Sequence, residues 1–222
     1  MEFRTKTLTL FAAALATLAT APIANAAVVN ATSYAMANGN GQASGGSFNY
    51  WDLSYTGSGN AAADNSALSG GLGDLTDGVI ATDNWFNVEN ASGTGPYVGW
   101  LIDPSIDFFF SAVTAWTSIT FHVDDSNGSG GVSPPLSIIV NGTPYAVSDP
   151  ASATPFAVSL NLTGLISNVL NIQILRSNQW VFVSEVTFEG TPAAVPVPAA
   201  GLMLLGALGG LAALRRRNRM AA

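Results

Sequence analysis

Ile119-Thr120-Phe121-His122-Val123 alternates apolar and polar side chains with a period of two, the pattern of a strand that buries one face. Leu170, Ile172 and Ile174 alternate with Asn171 and Gln173 in the same way. In the last such run Phe182, Val186 and Phe188 share one face and Glu185 lies on the other. Leu136 to Val140 ends in Asn141-Gly142, a hairpin signal, with Tyr145 to Val147 as the return strand. Ser47 to Tyr55, Tyr97 to Ile102, Ile106 to Phe110 and Pro155 to Leu160 are further short β-branched or aromatic runs. Gly, Ser, Asn and Asp punctuate the chain between these runs, and no segment sustains helical periodicity. The expectation is an all-β fold, a jelly-roll β-sandwich of about eight strands, with Gly57 to Gly73 as a long surface loop.

Composition bounds the function. The chain has 222 residues, of which 48% are hydrophobic and 9% charged. Arg4 and Lys6 stand at one extreme and Arg215, Arg216, Arg217 and Arg219 at the other, so Arg176 is the one Lys or Arg between them. That middle also holds thirteen of the fourteen acids, from Asp52 to Glu189. Such a surface repels phosphate, which argues against nucleic-acid binding, and favours divalent cations or simple solubility. The absence of cysteine excludes disulfides and thiolate chemistry, and a single histidine leaves little scope for zinc.

Both ends read as addresses. Arg4 and Lys6 precede an apolar stretch, Leu8 to Ala19, that is too short to span a bilayer, and Ala24-Asn25-Ala26 offers a small-x-small cleavage site. Residues 1–26 are therefore expected to be a secretory signal peptide, followed by a domain over 27–190 and a linker over 191–194. Val195 to Leu214 is uncharged and matches the ~20 residues needed to cross ~30 Å of hydrocarbon. The basic stop Arg215, Arg216, Arg217 and Arg219 follows, which resists translocation and orients the preceding domain away from the cytoplasm.

The segment Val195-Pro196-Val197-Pro198-Ala199, the apolar run and the terminal arginines resemble a PEP-CTERM sorting tail of the VPLPA type, over 195–222. Val197 stands where the founding motif has glutamate. The resemblance implies a Gram-negative bacterium that makes extracellular polysaccharide. It also implies recognition by an exosortase-type membrane protease that removes the tail near the Pro motif. The domain would be held at the inner membrane, facing the periplasm, and then released to the cell surface or extracellular matrix.

The densest polar stretch is Gly73-Asp74-Leu75-Thr76-Asp77-Gly78-Val79-Ile80-Ala81-Thr82-Asp83-Asn84-Trp85. Its carboxylates and turns suit a calcium loop, although Trp85 stands where an EF-hand needs Glu. The alternative is that Asp77-Gly78 is a plain turn among solvated acids. Asp124-Asp125, followed by Ser126-Asn127-Gly128, reads as a loop at a strand end, and nothing selects a catalytic pair among the acids.

Leu75-Thr76-Asp77-Gly78, Val98-Gly99-Trp100, the strand holding Phe121, Gly131 to Pro135 leading into Ile138 to Val140, and Trp180 to Phe188 follow one another in an order that resembles the discoidin, or galactose-binding-like, fold of F5/8 type C domains and family 32 carbohydrate-binding modules. The resemblance implies a structural calcium joining Asp77 to Glu185, and a ligand site in the loop before the last strand. There Arg176 and Asn178 would bind sugar hydroxyls and Trp180 would stack on a ring. The residues by themselves allow another reading, with Trp180 in the core and Arg176 balancing the acids. The functional expectation is a non-enzymatic, calcium-stabilised module that binds extracellular polysaccharide. The alternative is a structural matrix or biofilm protein without a sugar pocket, with a glycan hydrolase ranked behind both.

Overall fold

In the computed structural model the described residues are 26–41, 43–193 and 207–208. The signal-peptide reading, the sorting motif Val195 to Ala199, the membrane span and the basic stop Arg215 to Arg219 therefore lie outside the described residues, apart from Ala26 and the pair 207–208. No helix among the described residues is long and apolar enough to cross a membrane.

Ten strands form one hydrogen-bonded sheet: β1 Ala27–Val28, β2 Ser33–Ala37, β3 Ala67–Gly71, β4 Val98–Trp100, β5 Ser105–Val123, β6 Pro135–Val140, β7 Thr143–Ala146, β8 Phe156–Asn161, β9 Ile166–Arg176 and β10 Val181–Pro192. The strand order is β1-β10-β5-β9-β6-β7, with β2 and β8 on β5, β3 on β2, and β4 on β10. Between β6 and β7, Asn141 and Gly142 both adopt positive φ, 45° and 83°, the geometry of the expected hairpin turn.

The segments Ile106 to Phe110 and Ile119 to Val123 are not separate strands. They are the two halves of the 19-residue β5, because no Gly or Pro interrupts Ser111 to Ser118. The first half of β5 pairs with β2 and β9, and the second with β8 and β10. Ile106, Phe108, Phe110, Trp116, Ile119, Phe121 and Val123 from both halves enter one core. The sheet thus closes over a shared interior, where Phe188 meets Phe108 at 4.9 Å and Phe110 at 5.0 Å between ring centres.

Two local expectations are corrected. Ser47 to Tyr55 is not a strand, because side-chain oxygens take the amide protons that a ladder would use: Asn49 accepts Trp51 N–H at 3.1 Å and Asn38 accepts Asp52 N–H at 2.9 Å. The presumed loop Gly57 to Gly73 contains β3, which is anchored by pairing with β2.

A second, smaller core holds Tyr50, Ala81, Trp85, Tyr97, Val132, Trp180 and Phe182. Phe182 belongs here rather than with Val186 and Phe188. The β10–β5 register shifts between Val183 and Glu185, so Val181 and Val183 face the main core before the shift, and Val186 and Phe188 after it.

Candidate functional site

The same register shift sets the environment of Glu185, which lies on the outer side of β10. The Gly73–Ala81 segment covers that side. Gly78 N–H donates to Glu185 Oε2 at 2.9 Å, and Ala81 N–H donates to Ser184 Oγ at 3.2 Å. Glu185 is consequently buried, at 4% exposure, and not solvent-facing. Burial, together with the nearby Asp77 charge and against the Gly78 hydrogen bond, pushes its carboxyl up to about 7. Asp77 Oδ1 accepts Val79 N–H at 2.8 Å, which closes the turn.

The structure thus brings Asp77 and Glu185, far apart in sequence, to one cleft. Asp77, Gly78, Leu72 and Thr76 line one part of it, and β1, the residues after it and Glu185 to Phe188 line the rest, around a cavity of about 420 Å3. Both side chains offer hard oxygen donors suited to calcium. Among the described residues no group of three or more His, Cys, Asp or Glu side chains could hold a metal, so a cation here would draw its remaining ligands from backbone carbonyls.

Buried acids hold this loop from behind. Asp52, fully buried, accepts the Tyr34 hydroxyl and Asp74 N–H, the latter at 3.0 Å. Ser54 donates to Asp74 Oδ1 at 2.5 Å. Burial and the Asp52 charge push Asp74 up to about 7.

The second candidate site lies where β4, β5 and β9 meet the start of β10. Trp180 is 9% exposed and packs against Tyr50, ring centres 5.3 Å apart, and Phe182, 5.6 Å apart. It is a core residue, and its burial leaves no open indole face for stacking. Arg176 Nε pairs with Asp103 at 3.0 Å, and its NH1 donates to Gln179 O at 2.5 Å, so the guanidinium fixes the loop. Asn178 is exposed, donates to Ser133 Oγ at 3.2 Å and accepts Gln179 N–H at 2.8 Å.

What the sequence did not reveal is the platform beside Asn178. Gly128, Gly130 and Gly131 all take positive φ; a Cβ on Gly130 would press on the Trp85 ring at 2.6 Å and one on Gly131 on Gln179 Oε1 at 2.9 Å, while one on Gly128 would touch Asn178 Nδ2 at 3.4 Å. This glycine turn therefore lies between Trp85 and the Asn178–Gln179 pair. Phe86 stacks edge-on to Trp85 at 5.5 Å and is 43% exposed. The only sequence signal for it was a Trp-Phe pair inside a polar loop.

Asp124 is structural in its contacts. It is fully buried, accepts Trp85 N–H at 2.5 Å and Ser126 Oγ–H at 2.6 Å, and so caps the one-turn helix Trp85–Val88. Burial raises it to about 6. Glu89, buried beneath Gly95 and accepting Tyr97 N–H at 2.8 Å, is pushed up to about 8.

These four acids make a pH prediction. With Glu185 and Asp74 at about 7, Glu89 at about 8 and Asp124 at about 6, the folded state keeps protons that an unfolded chain releases near pH 4. Stability should therefore be greatest on the acid side and fall as pH rises from about 4 to 8. Urea denaturation without calcium should show a more stable protein at pH 5 than at pH 8. Equal or reversed stabilities would mean that these carboxyls ionise freely in the fold.

Residues 31–130, less than half of the chain, match the family model of the discoidin domain-containing receptor 1/2 DS-like domain. No curated protein matches the chain. Among solved structures the chain is similar to an F-lectin (fucolectin) from striped bass (Morone saxatilis) serum, with TM-score 0.37 and 17% identity over 53% of this chain and 40% of that one. It thus spans well under two thirds of the fucolectin's length. It is also similar to the family 32 carbohydrate-binding module of C. perfringens NanJ, solved in complex with galactose, with TM-score 0.32 and 12% identity over 52% of this chain and 82% of that one.

Proposed function

We propose that the chain is an exported, non-catalytic carbohydrate-binding module for extracellular polysaccharide. Its glycan site is the loop end formed by the Gly128–Gly131 turn, Asn178, Gln179 and the exposed ring of Phe86. The supporting observation is that one glycine turn joins the exposed Asn178 and Gln179 amides on one side to Trp85 on the other, with the exposed ring of Phe86 packed against Trp85, a mix of amides and aromatic surface that suits sugar hydroxyls and the apolar side of a pyranose. The discoidin-type match over residues 31–130 agrees with this reading. Arg176 and Trp180 act as positioning residues, holding the loop that presents Asn178. A calcium ion between Asp77 and Glu185 is proposed as a structural cofactor that ties the Gly73–Ala81 segment to β10.

The leader directs export, the span holds the domain at the inner membrane, and an exosortase-type protease releases it to the surface or matrix. The commitment of Arg176 to Asp103 and the burial of Trp180 favour, as the second reading, a structural matrix protein without a sugar pocket.

A glycan array separates the two. The wild-type chain should retain at least one glycan, and Phe86→Ala and Asn178→Ala should lose it with melting temperatures unchanged, since both side chains are exposed. A wild-type protein that retains no glycan would leave the matrix reading in place.

A further inference from the structure

The fold is polarised from end to end, and the end poorer in charge is the one from which the chain leaves. Ala27 pairs with Gly190 and Pro192 with Thr114, while Ala193 N–H donates to Val113 O at 2.9 Å, so the strands lead in and out at one place. Residues 109–118, 160–168 and 190–193, which build that end, contain no Asp, Glu, Lys or Arg, and the one acid beside them is Glu189, whose carboxylate accepts Ser118 Oγ–H at 2.8 Å. The β5–β9 register pairs Ala115 with Ile166 and Thr114 with Ser167. Thr114 is buried, so Val113, Ala115 and Ile166 share the outward face, where Val113 is 49% and Ile166 61% exposed. At the opposite end Asp83, Asp103 and Asp149 are exposed, against Arg176 alone, which pairs with Asp103.

We infer that the uncharged face of this end rests on the lipid headgroups of the non-cytoplasmic leaflet, with Val113 and Ile166 as its contacts. The inference depends on the reading of Val195–Leu214 as a membrane span. Ala193, the last residue of the described domain, is two residues from Val195, and two extended residues reach at most ~7 Å. The headgroup layer of one leaflet is itself about 5–8 Å thick. The tether is about as long as that layer is thick, so the end of the domain from which it leaves is held against the layer. An acidic surface is repelled by anionic headgroups, whereas an uncharged face with exposed Val and Ile is accepted. The loop end holding Asn178 then points away from the membrane.

The absence of cysteine makes a site-specific test direct. The full-length chain would be placed in phosphatidylethanolamine–phosphatidylglycerol vesicles with bimane on Ile166→Cys, Val113→Cys, Asn178→Cys or Leu208→Cys. Nitroxide on the headgroup should quench the probes at 166 and 113 several-fold more than the probe at 178. Nitroxide on the acyl chain should quench the probe at 208. Quenching at 208, with 166 and 113 no more quenched than 178, overturns the orientation and leaves the span intact. A probe at 208 untouched by acyl-chain nitroxide overturns the span, and the orientation with it.

Discussion

Chelation of calcium should lower the melting temperature of this protein by about 5–10 °C, starting from free calcium about a hundred-fold above its Kd. At that excess, a ligand bound only by the folded state contributes about 2.7 kcal/mol, and each kcal/mol moves a domain of this size by about 2–4 °C. The reason lies in Glu185. It is buried, it faces the Asp77 loop, and among the described residues its carboxylate accepts one hydrogen bond, from Gly78 N–H. A divalent cation would relieve the mutual repulsion of the two carboxylates and tie the loop to β10 at the same time. Glu185→Gln keeps an oxygen for Gly78 but removes the charge. The calcium-dependent shift should vanish in that variant, and in EDTA it should melt no lower than wild type. Wild type melting at one temperature with calcium and with EDTA would remove the metal from the account.

Gly39→Ala should cost about 3 kcal/mol and lower the melting temperature by about 6–12 °C, read by thermal unfolding followed in the far ultraviolet. No special backbone conformation is involved. A Cβ at this position would sit 2.1 Å from the Tyr50 carbonyl oxygen and 2.8 Å from that of Gly99. Both neighbours are backbone and cannot swing aside. They are also stitched together, since Gly99 N–H donates to Tyr50 O at 3.1 Å and Asn40 N–H to Gly99 O at 2.8 Å. The Asn38 side chain adds bonds to Gly39 N–H at 2.8 Å and to Asp52 N–H. Forcing the three segments apart loosens the smaller core through Tyr50, which lies beneath the proposed glycan platform. A variant that melts within a degree of wild type would show that these segments are less tightly joined than their geometry indicates.

The strands with clean alternation were legible in the sequence because one face meets the core and the other meets water, as in Ile119 to Val123 and Leu170 to Ile174. The smaller core was not. Tyr50, Trp85, Tyr97 and Trp180 stand in loops or short turns, where no period marks which side is buried. Glu185 has polar neighbours at its own spacing, Thr187 and Glu189, and reads as exposed. Its burial is imposed by Gly78, 107 residues away, and by a register shift that alternation cannot report. The pairing of Asp77 with Glu185 through a metal is implied by the family resemblance alone; in the structure the two residues line one cleft. In the loop before β10, Asn178 is exposed but Trp180 faces inward. The exposed ring is Phe86, nearly a hundred residues earlier in the chain.

The proposal that the loop end binds polysaccharide is tested most directly by hydrogen–deuterium exchange of the full-length chain across a panel of neutral, acidic and amino-bearing polysaccharides. At least one of them should slow exchange within 84–88, 126–133 and 176–180, and leave the opposite end around Val113 and Ile166 unchanged. Exchange unaltered by every polysaccharide, or slowed only away from those three segments, would contradict it.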